Sequence, residues 1–248
     1  MSWHKGPLLA FDTETTGPNP DFARIVTATL ITNTPGADTV VHEWQINPGV
    51  LIPQGAINVH GITNERAQED GQDPAVAVAD ITGRIALSMR RGVPLVAFNA
   101  AYDLTVLDRE CMRHNLPTLA ERLDFVGPVI DPHVLDKKVD TYRKGKRTLT
   151  AVCEHYNVDL GNAHDASADA LGAARVAYVM AARFSELDMD LVQLHEAQRG
   201  WRSEQAASLQ DYFRRKDPTA VVNGDWPVQT VPTDWSPGAH PVDEQVAA

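Results

Sequence analysis

The chain has 248 residues, with 22 Lys and Arg against 33 Asp and Glu, a net charge of −11 and 43% hydrophobic side chains. That length supports a full hydrophobic core in one large domain, or one domain with an appendage. The acidic balance excludes attraction of polyanions by bulk charge, so any nucleic-acid partner must be held by local devices.

Cys111 and Cys153 are the only cysteines and lack CxxC spacing, which argues against a disulfide framework or a zinc cluster. They read as small core residues in a reducing cytoplasm. No apolar run approaches the ~20 residues that cross a bilayer, and the apolar stretch in MSWHKGPLLAFDTE is too short for a signal peptide. A cytoplasmic protein without membrane attachment is therefore expected.

In chain order, strand-like runs over 7–13, 25–33 and 39–47 are separated by TTGPNPDFAR and TPGAD, which predicts an antiparallel meander. A helix follows over 74–91, with Pro74 at its first position and Val78, Ile81 and Ile85 at helical spacing. A short apolar strand over 94–98 leads directly into a helix over 101–114, and a strand over 127–130 runs into Asp131. Helices over 149–156 and 166–184 complete the pattern. The fold class expected is α/β: a mixed sheet, meander first and parallel strands after, flanked by helices. From 186, Leu187, Leu191, Leu194, Trp201, Leu209 and Phe213 predict a C-terminal helix to about 216, weakened at Gly200. From Asp217 onward there are five prolines, five acids and no Lys or Arg, a composition that reads as a disordered or linker-like tail containing Trp226 and Trp235. The expected division is thus 1–185, 186–216 and 217–248.

Acidic residues recur where these elements end or begin. Asp12 and Glu14 lie two apart on a strand, so they point the same way and can share one ion. Asp108 and Glu110 have the same spacing on a helix, about 200° apart on the helical wheel, and cannot. Gly17, just after the first pair, permits a tight turn and close approach of a ligand. Asp103 falls in the first turn of its helix, where a carboxylate also complements the helix dipole. Asp165 can cap the helix from 166, Asp169 lies one turn in, and His164 stays in the preceding loop.

Each of these is weak alone, but the set matches phosphodiester hydrolysis. Two metal ions about 3.5–4 Å apart can activate a water and stabilise the leaving oxygen. Mg²⁺ and Mn²⁺ prefer such oxygen ligands, and a histidine of near-neutral pKa can take the water's proton. Lys137, Lys138, Arg143, Lys144, Lys146 and Arg147 fall within eleven residues between the second and third acidic motifs. Lys144, Lys146 and Arg147 are the candidates there for phosphate contact.

Through FDTETTG, NAAYD and HDASADA, in that order and spacing, residues 5–184 resemble the DEDDh family of 3′–5′ exonucleases. That family has a ribonuclease-H-like fold and includes proofreading subunits of bacterial replicative polymerases. VHGIT, residues 59–63, resembles a segment that the family places near the terminal nucleotide. The resemblance implies that Asp12, Glu14 and Asp169 hold one metal, that Asp12 helps hold a second, that Asp103 acts through metal-bound water, and that His164 is the general base. It also implies substrate contacts from Asn99 and Tyr102, and more weakly from Thr16 and His60. Phe98 stands where many members have a histidine, and Asp165 where a basic or amide residue is common. Both departures bear on substrate preference.

The function expected is a Mg²⁺- or Mn²⁺-dependent 3′–5′ exonuclease releasing nucleoside 5′-monophosphates from single-stranded DNA, in preference to RNA. The alternative is a weakly active or non-catalytic subunit docked on a DNA polymerase or repair complex. A carboxylate-based metal sensor accounts for the acids but not for the histidine.

Overall fold

A computed structural model describes residues 2–161 and 166–238 of the chain. Its centre is a five-stranded sheet in the order β3-β2-β1-β4-β5, formed by β1 (Leu8–Thr15), β2 (Ile25–Asn33), β3 (Val40–Gln45), β4 (Leu95–Val96) and β5 (Val129–Ile130). The first three strands pair antiparallel, and β4 and β5 continue parallel from β1, which is the mixed sheet expected. β4 and β5 are only two residues long, each buried at both positions, as expected for parallel strands covered on both faces.

The helices are α1 (Gln54–His60), α2 (Asn64–Asp70), α3 (Pro74–Arg90), α4 (Ala100–Arg113), α5 (Leu119–Arg122), α6 (Pro132–Val139), α7 (Leu149–Tyr156), α8 (Ala166–Arg183) and α9 (Leu191–Arg214). Short α1, α2, α5 and α6 were not legible as periodic segments. Their starts carry other signals, such as the capping box of Thr118 and Glu121 before α5 and the Asp131-Pro132 pair that opens α6.

Alternation along β1 divides the core. Leu9 and Phe11 join Ile81, Ile85, Leu104 and Leu107 of α3 and α4 on one face. On the other, Ala10 meets Ala170 and Ala174 of α8, with Ile31 of β2. Small residues at that contact let α8 lie close against the sheet, which brings its first turn to the end of β1. Cys111 and Cys153 are buried and free, with burial pushing each thiol up to about 11.

Two expectations at the C-terminal end are corrected. α9 runs unbroken through Gly200, and its buried His195 and Gln198 bind the chain at β5: the Val129 N–H donates to His195 Nδ1 at 3.1 Å, and the Asp131 N–H to Gln198 Oε1 at 2.7 Å. The segment 217–238 is also not a free linker. Trp226 is 4% exposed within the main core, lies tilted against His195 with ring centroids 4.8 Å apart and donates to Asp131 Oδ2 at 3.2 Å. The segment's polar composition conceals its two indoles: Trp226, which is buried, and Trp235, which is half-buried and donates to the Asp21 carbonyl, hold the segment without periodic structure. Among the described residues, no helix is long and apolar enough to cross a membrane.

Candidate metal centre and substrate cleft

Asp12 and Glu14 share a face of β1 and pair across it with Thr29 and Thr27 of β2, while a bulge between Glu14 and Thr15 turns the strand toward the following loop. Asp169, in the first turn of α8, descends on the same face. Asp12, Glu14 and Asp169 each present a ligand atom within 4.8 Å of the others, and all three are half-buried. Burial first, then the charges of Asp103, Asp169 and Glu14, hold the Asp12 carboxyl well above its ordinary range. Oxygen donors of like charge, partly out of water, repel one another, and a bound cation relieves that repulsion. The donor set fits a hard divalent ion.

Asp103 arrives from the other side of the strand. Its Oδ1 accepts from the Thr13 N–H at 3.1 Å and the Thr13 hydroxyl at 2.6 Å. Thr13 faces away from Asp12 and Glu14, so this anchor sets Asp103 at the edge of β1, near Asp12 but outside the close triad. Burial raises the Asp103 carboxyl to about 7 against the opposing hydrogen bonds from Thr13. His164 and Asp165 lie outside the described residues.

The turn that aims Asp103 is formed by Asn99, a sequence candidate, and depends on Asp131, which is not among the site candidates. Asn99 adopts a left-handed conformation, φ 64° and ψ 46°. Its N–H donates to Asp131 Oδ1 at 2.9 Å, and the Ala100 N–H to Asp131 Oδ2 at 3.0 Å. The same carboxylate caps α6 through the N–H groups of His133 and Val134. Asp131 thus orients the start of α4 from behind. Burial pushes it upward, against the pull of those donors and of Trp226.

The remaining candidates separate into three groups. Tyr102 donates to the Gly17 carbonyl at 2.5 Å and shares a short hydrogen bond with the Thr15 hydroxyl, and burial raises its phenol to about 12. Thr16 is half-buried, and its hydroxyl accepts from the Arg24 N–H at 3.0 Å. These two shape the loop after Glu14.

His60 ends α1, accepts from the Ile62 N–H at 3.1 Å and is held below its ordinary pKa chiefly by burial. With Glu14, Thr27, Gln45, Arg66 and Ala166 it lines a cleft of about 530 Å³. Thr27, Gln45 and Arg66 had not been singled out. Threonines at period two in the apolar run IVTATLIT were the available signal, because they share the carboxylates' face.

In the basic run, Lys144 and Lys146 are exposed. Arg147 instead turns inward: it bonds the buried Asp136 carboxylate at 2.7 Å and the carbonyls of Asp136 and Asp140 at 2.9 and 2.5 Å. Arg143 joins it on Asp136 at 2.7 Å. A side chain so engaged closes the loop. Likewise Asp108 and Glu110 are bound to arginines, Asp108 to Arg109 and Glu110 to Arg24 and Arg113, and hold no shared ion site.

An exonuclease family model, RNase T, matches residues 9–177. The PolC-type DNA polymerase III of Lacticaseibacillus paracasei is 26% identical over 172 residues, covering 69% of this chain and 11% of that protein. A DNA polymerase III subunit epsilon-like protein of Rhodobacter capsulatus is 33% identical over 135 residues, covering 53% of this chain and 17% of that protein. The chain thus spans a small part of the length of these relatives. E. coli exonuclease I in complex with a dT13 oligonucleotide superposes with a TM-score of 0.60 at 19% identity, over 73% of this chain and 42% of that one. A zinc-bound form of that enzyme with single-stranded DNA gives 0.61 at 19% identity, with the same coverage. At these identities the likeness establishes a shared fold: a ribonuclease-H-like mixed sheet flanked by helices.

Proposed function

From the premise that the chain belongs to the RNase T exonuclease family, we propose that it is a Mg²⁺- or Mn²⁺-dependent 3′–5′ exonuclease of the histidine subclass. It acts on single-stranded DNA in preference to RNA and releases nucleoside 5′-monophosphates. The observation that carries this reading is the close carboxylate triad of Asp12, Glu14 and Asp169, with Glu14 itself lining the cleft.

Asp12, Glu14 and Asp169 would hold the ions, with Asp103 contributing beside them. Bound there, divalent ions supply an acidified water and neutralise charge developing on the phosphate. His164, just before α8, takes the proton of the attacking water at its imidazole. Tyr102 fastens the Gly17 turn, and Thr16 and His60 border the position of the terminal nucleotide. Asn99, exposed at the mouth of α4, contacts its sugar end. Among the described residues that line the cleft, Arg66 supplies positive charge beside the carboxylates of Glu14 and Glu43. Short engagement of one 3′ end, with Lys144 and Lys146 adding weak attraction, suits a protein of this net charge. DNA is favoured because the similar proteins include DNA polymerase III relatives and an exonuclease complexed with a DNA oligonucleotide.

The test is degradation of matched 5′-labelled DNA and RNA oligonucleotides. Expected are one-nucleotide steps from the 3′ end, loss with chelator, recovery with Mg²⁺ or Mn²⁺, and loss in Asp12→Ala and His164→Ala. Equal turnover in either variant rejects the reading. A second reading, an exonuclease-like subunit docked on a polymerase or repair complex, draws on the polymerase relatives and on exposed Leu209, Tyr212 and Phe213 near the end of α9. It requires wild-type turnover no higher than that of Asp12→Ala.

A further inference from the structure

The C-terminal segment 217–238 touches the chain at places that flank the catalytic strand. Its first anchor is Trp226 on Asp131, the carboxylate that orients the start of α4. Between anchors it follows α4: the Gln229 N–H donates to the Thr105 hydroxyl at 2.9 Å, and Arg109 donates to the Gln229 carbonyl at 2.9 Å. The second anchor is Trp235, whose indole N–H donates to the Asp21 carbonyl at 2.7 Å. Its ring lies 5.9 Å from the Arg109 guanidinium and 5.6 Å from that of Arg113.

Asp21 belongs to the loop between β1 and β2, which begins one residue after Glu14 and Thr15 and carries Thr16. From inside, Arg109 grips the Asp21 carboxylate at 2.9 Å, and Arg113 reaches the Asp21 and Ala23 carbonyls at 2.5 and 3.0 Å. Trp235 caps both guanidinium groups on their outer side. An aromatic face there adds cation–π attraction and limits water around the Arg109–Asp21 pair, which strengthens it. The loop's far side is closed onto Thr16 itself, since the Thr16 N–H donates to the Arg24 carbonyl and the Arg24 N–H to the Thr16 hydroxyl, both at 3.0 Å.

We propose that the C-terminal segment is a strap that holds the β1–β2 loop in its substrate-binding form, and that Trp235 is a positioning residue acting through Asp21 on Thr16. This rests on the exonuclease reading for its kinetic consequence, but not for the mechanical coupling. The strap gives the site a dependence on a part of the chain beyond the family match, which ends at 177.

The experiment compares full-length wild type, Trp235→Ala and Trp235→Phe by hydrogen exchange and by oligonucleotide turnover. In Trp235→Ala, the amides of Thr16, Phe22, Ala23 and Arg24 should exchange about tenfold faster while those of α3 and α7 keep their rates. KM for the oligonucleotide should rise about three- to fivefold with kcat within about twofold. Trp235→Phe keeps a ring over the arginines without the N–H donor, so it should recover part of both effects. Unchanged exchange over 16–24, or an increase spread evenly over the chain, overturns the strap, as does an unchanged KM in an active enzyme. A wild type that shows no turnover sinks the exonuclease reading instead, and exchange alone then judges the coupling.

Discussion

Replacing Asp131 with Ala should damage both the stability of the fold and the aim of Asp103. The side chain is 1% exposed and accepts from five donors: the N–H groups of Asn99, Ala100, His133 and Val134, and the Trp226 indole. Two helix starts lose their acceptor at about 1 kcal/mol each, and a buried indole N–H left without a partner costs about 1–2 more. Burial of the carboxylate, which drives its pKa upward, offsets part of what those bonds contribute. The net loss expected is about 3 kcal/mol, a large part of the ~5–15 kcal/mol that holds a domain folded. For a chain of this size it corresponds to a fall in Tm of roughly 6–12 °C. Urea denaturation should show the lower midpoint at an unchanged slope. Asp131→Asn keeps one acceptor oxygen and should lose about half as much. Turnover should drop in Asp131→Ala even where the protein is fully folded, because the left-handed turn at Asn99 that aims Asp103 loses its support. A loss below about 1 kcal/mol would refute this account of the junction.

The other expectations concern charge. Asp12→Asn removes like-charge repulsion, so the metal-free variant should be more stable than wild type by about 1–2 kcal/mol while losing turnover; calorimetry in chelator reads the first and the oligonucleotide assay the second. His195, lowered from 6.5 to about 4 mainly by burial, makes no pH-dependent difference above 6.5, where folded and unfolded forms are both neutral. Below that the unfolded chain binds the proton first, so stability should fall as pH drops from 6.5 toward 4, by about 2 kcal/mol at pH 5, and His195→Gln should flatten that decline in denaturation curves. Arg147→Ala breaks a buried ion pair with Asp136 and should cost about 3 kcal/mol of stability in urea titrations. Lys144→Ala with Lys146→Ala should leave stability within ~0.5 kcal/mol and weaken the salt dependence of KM.

Most of the mixed sheet was legible because its signals are local. The apolar runs ending in Asp12 and leading toward Asp103, the turn residues between the first three strands and the helical period of 74–91 each depend on neighbours in sequence. The resemblance to exonucleases rested on three short motifs in order, a signal that survives without knowledge of packing. Short α1, α2, α5 and α6 escaped because a helix of one or two turns shows little period, and only its cap residues mark it.

By itself, then, the chain determined which side chains could serve as metal ligands and the alternation that puts Asp12 and Glu14 on one face. Only the tertiary structure decided that Asp169 joins them while Asp103 is tied to Thr13 across the strand, that Arg147 turns inward to Asp136 while Lys144 stays in solvent, and that an acidic, proline-rich tail is held by Trp226 and Trp235. The physical reason is that backbone periodicity is written within a few residues. Whether a carboxylate, guanidinium or indole is spent inside the fold or left to act depends on partners up to 214 positions away, as for Trp235 and Asp21, and those partners meet only when the chain closes.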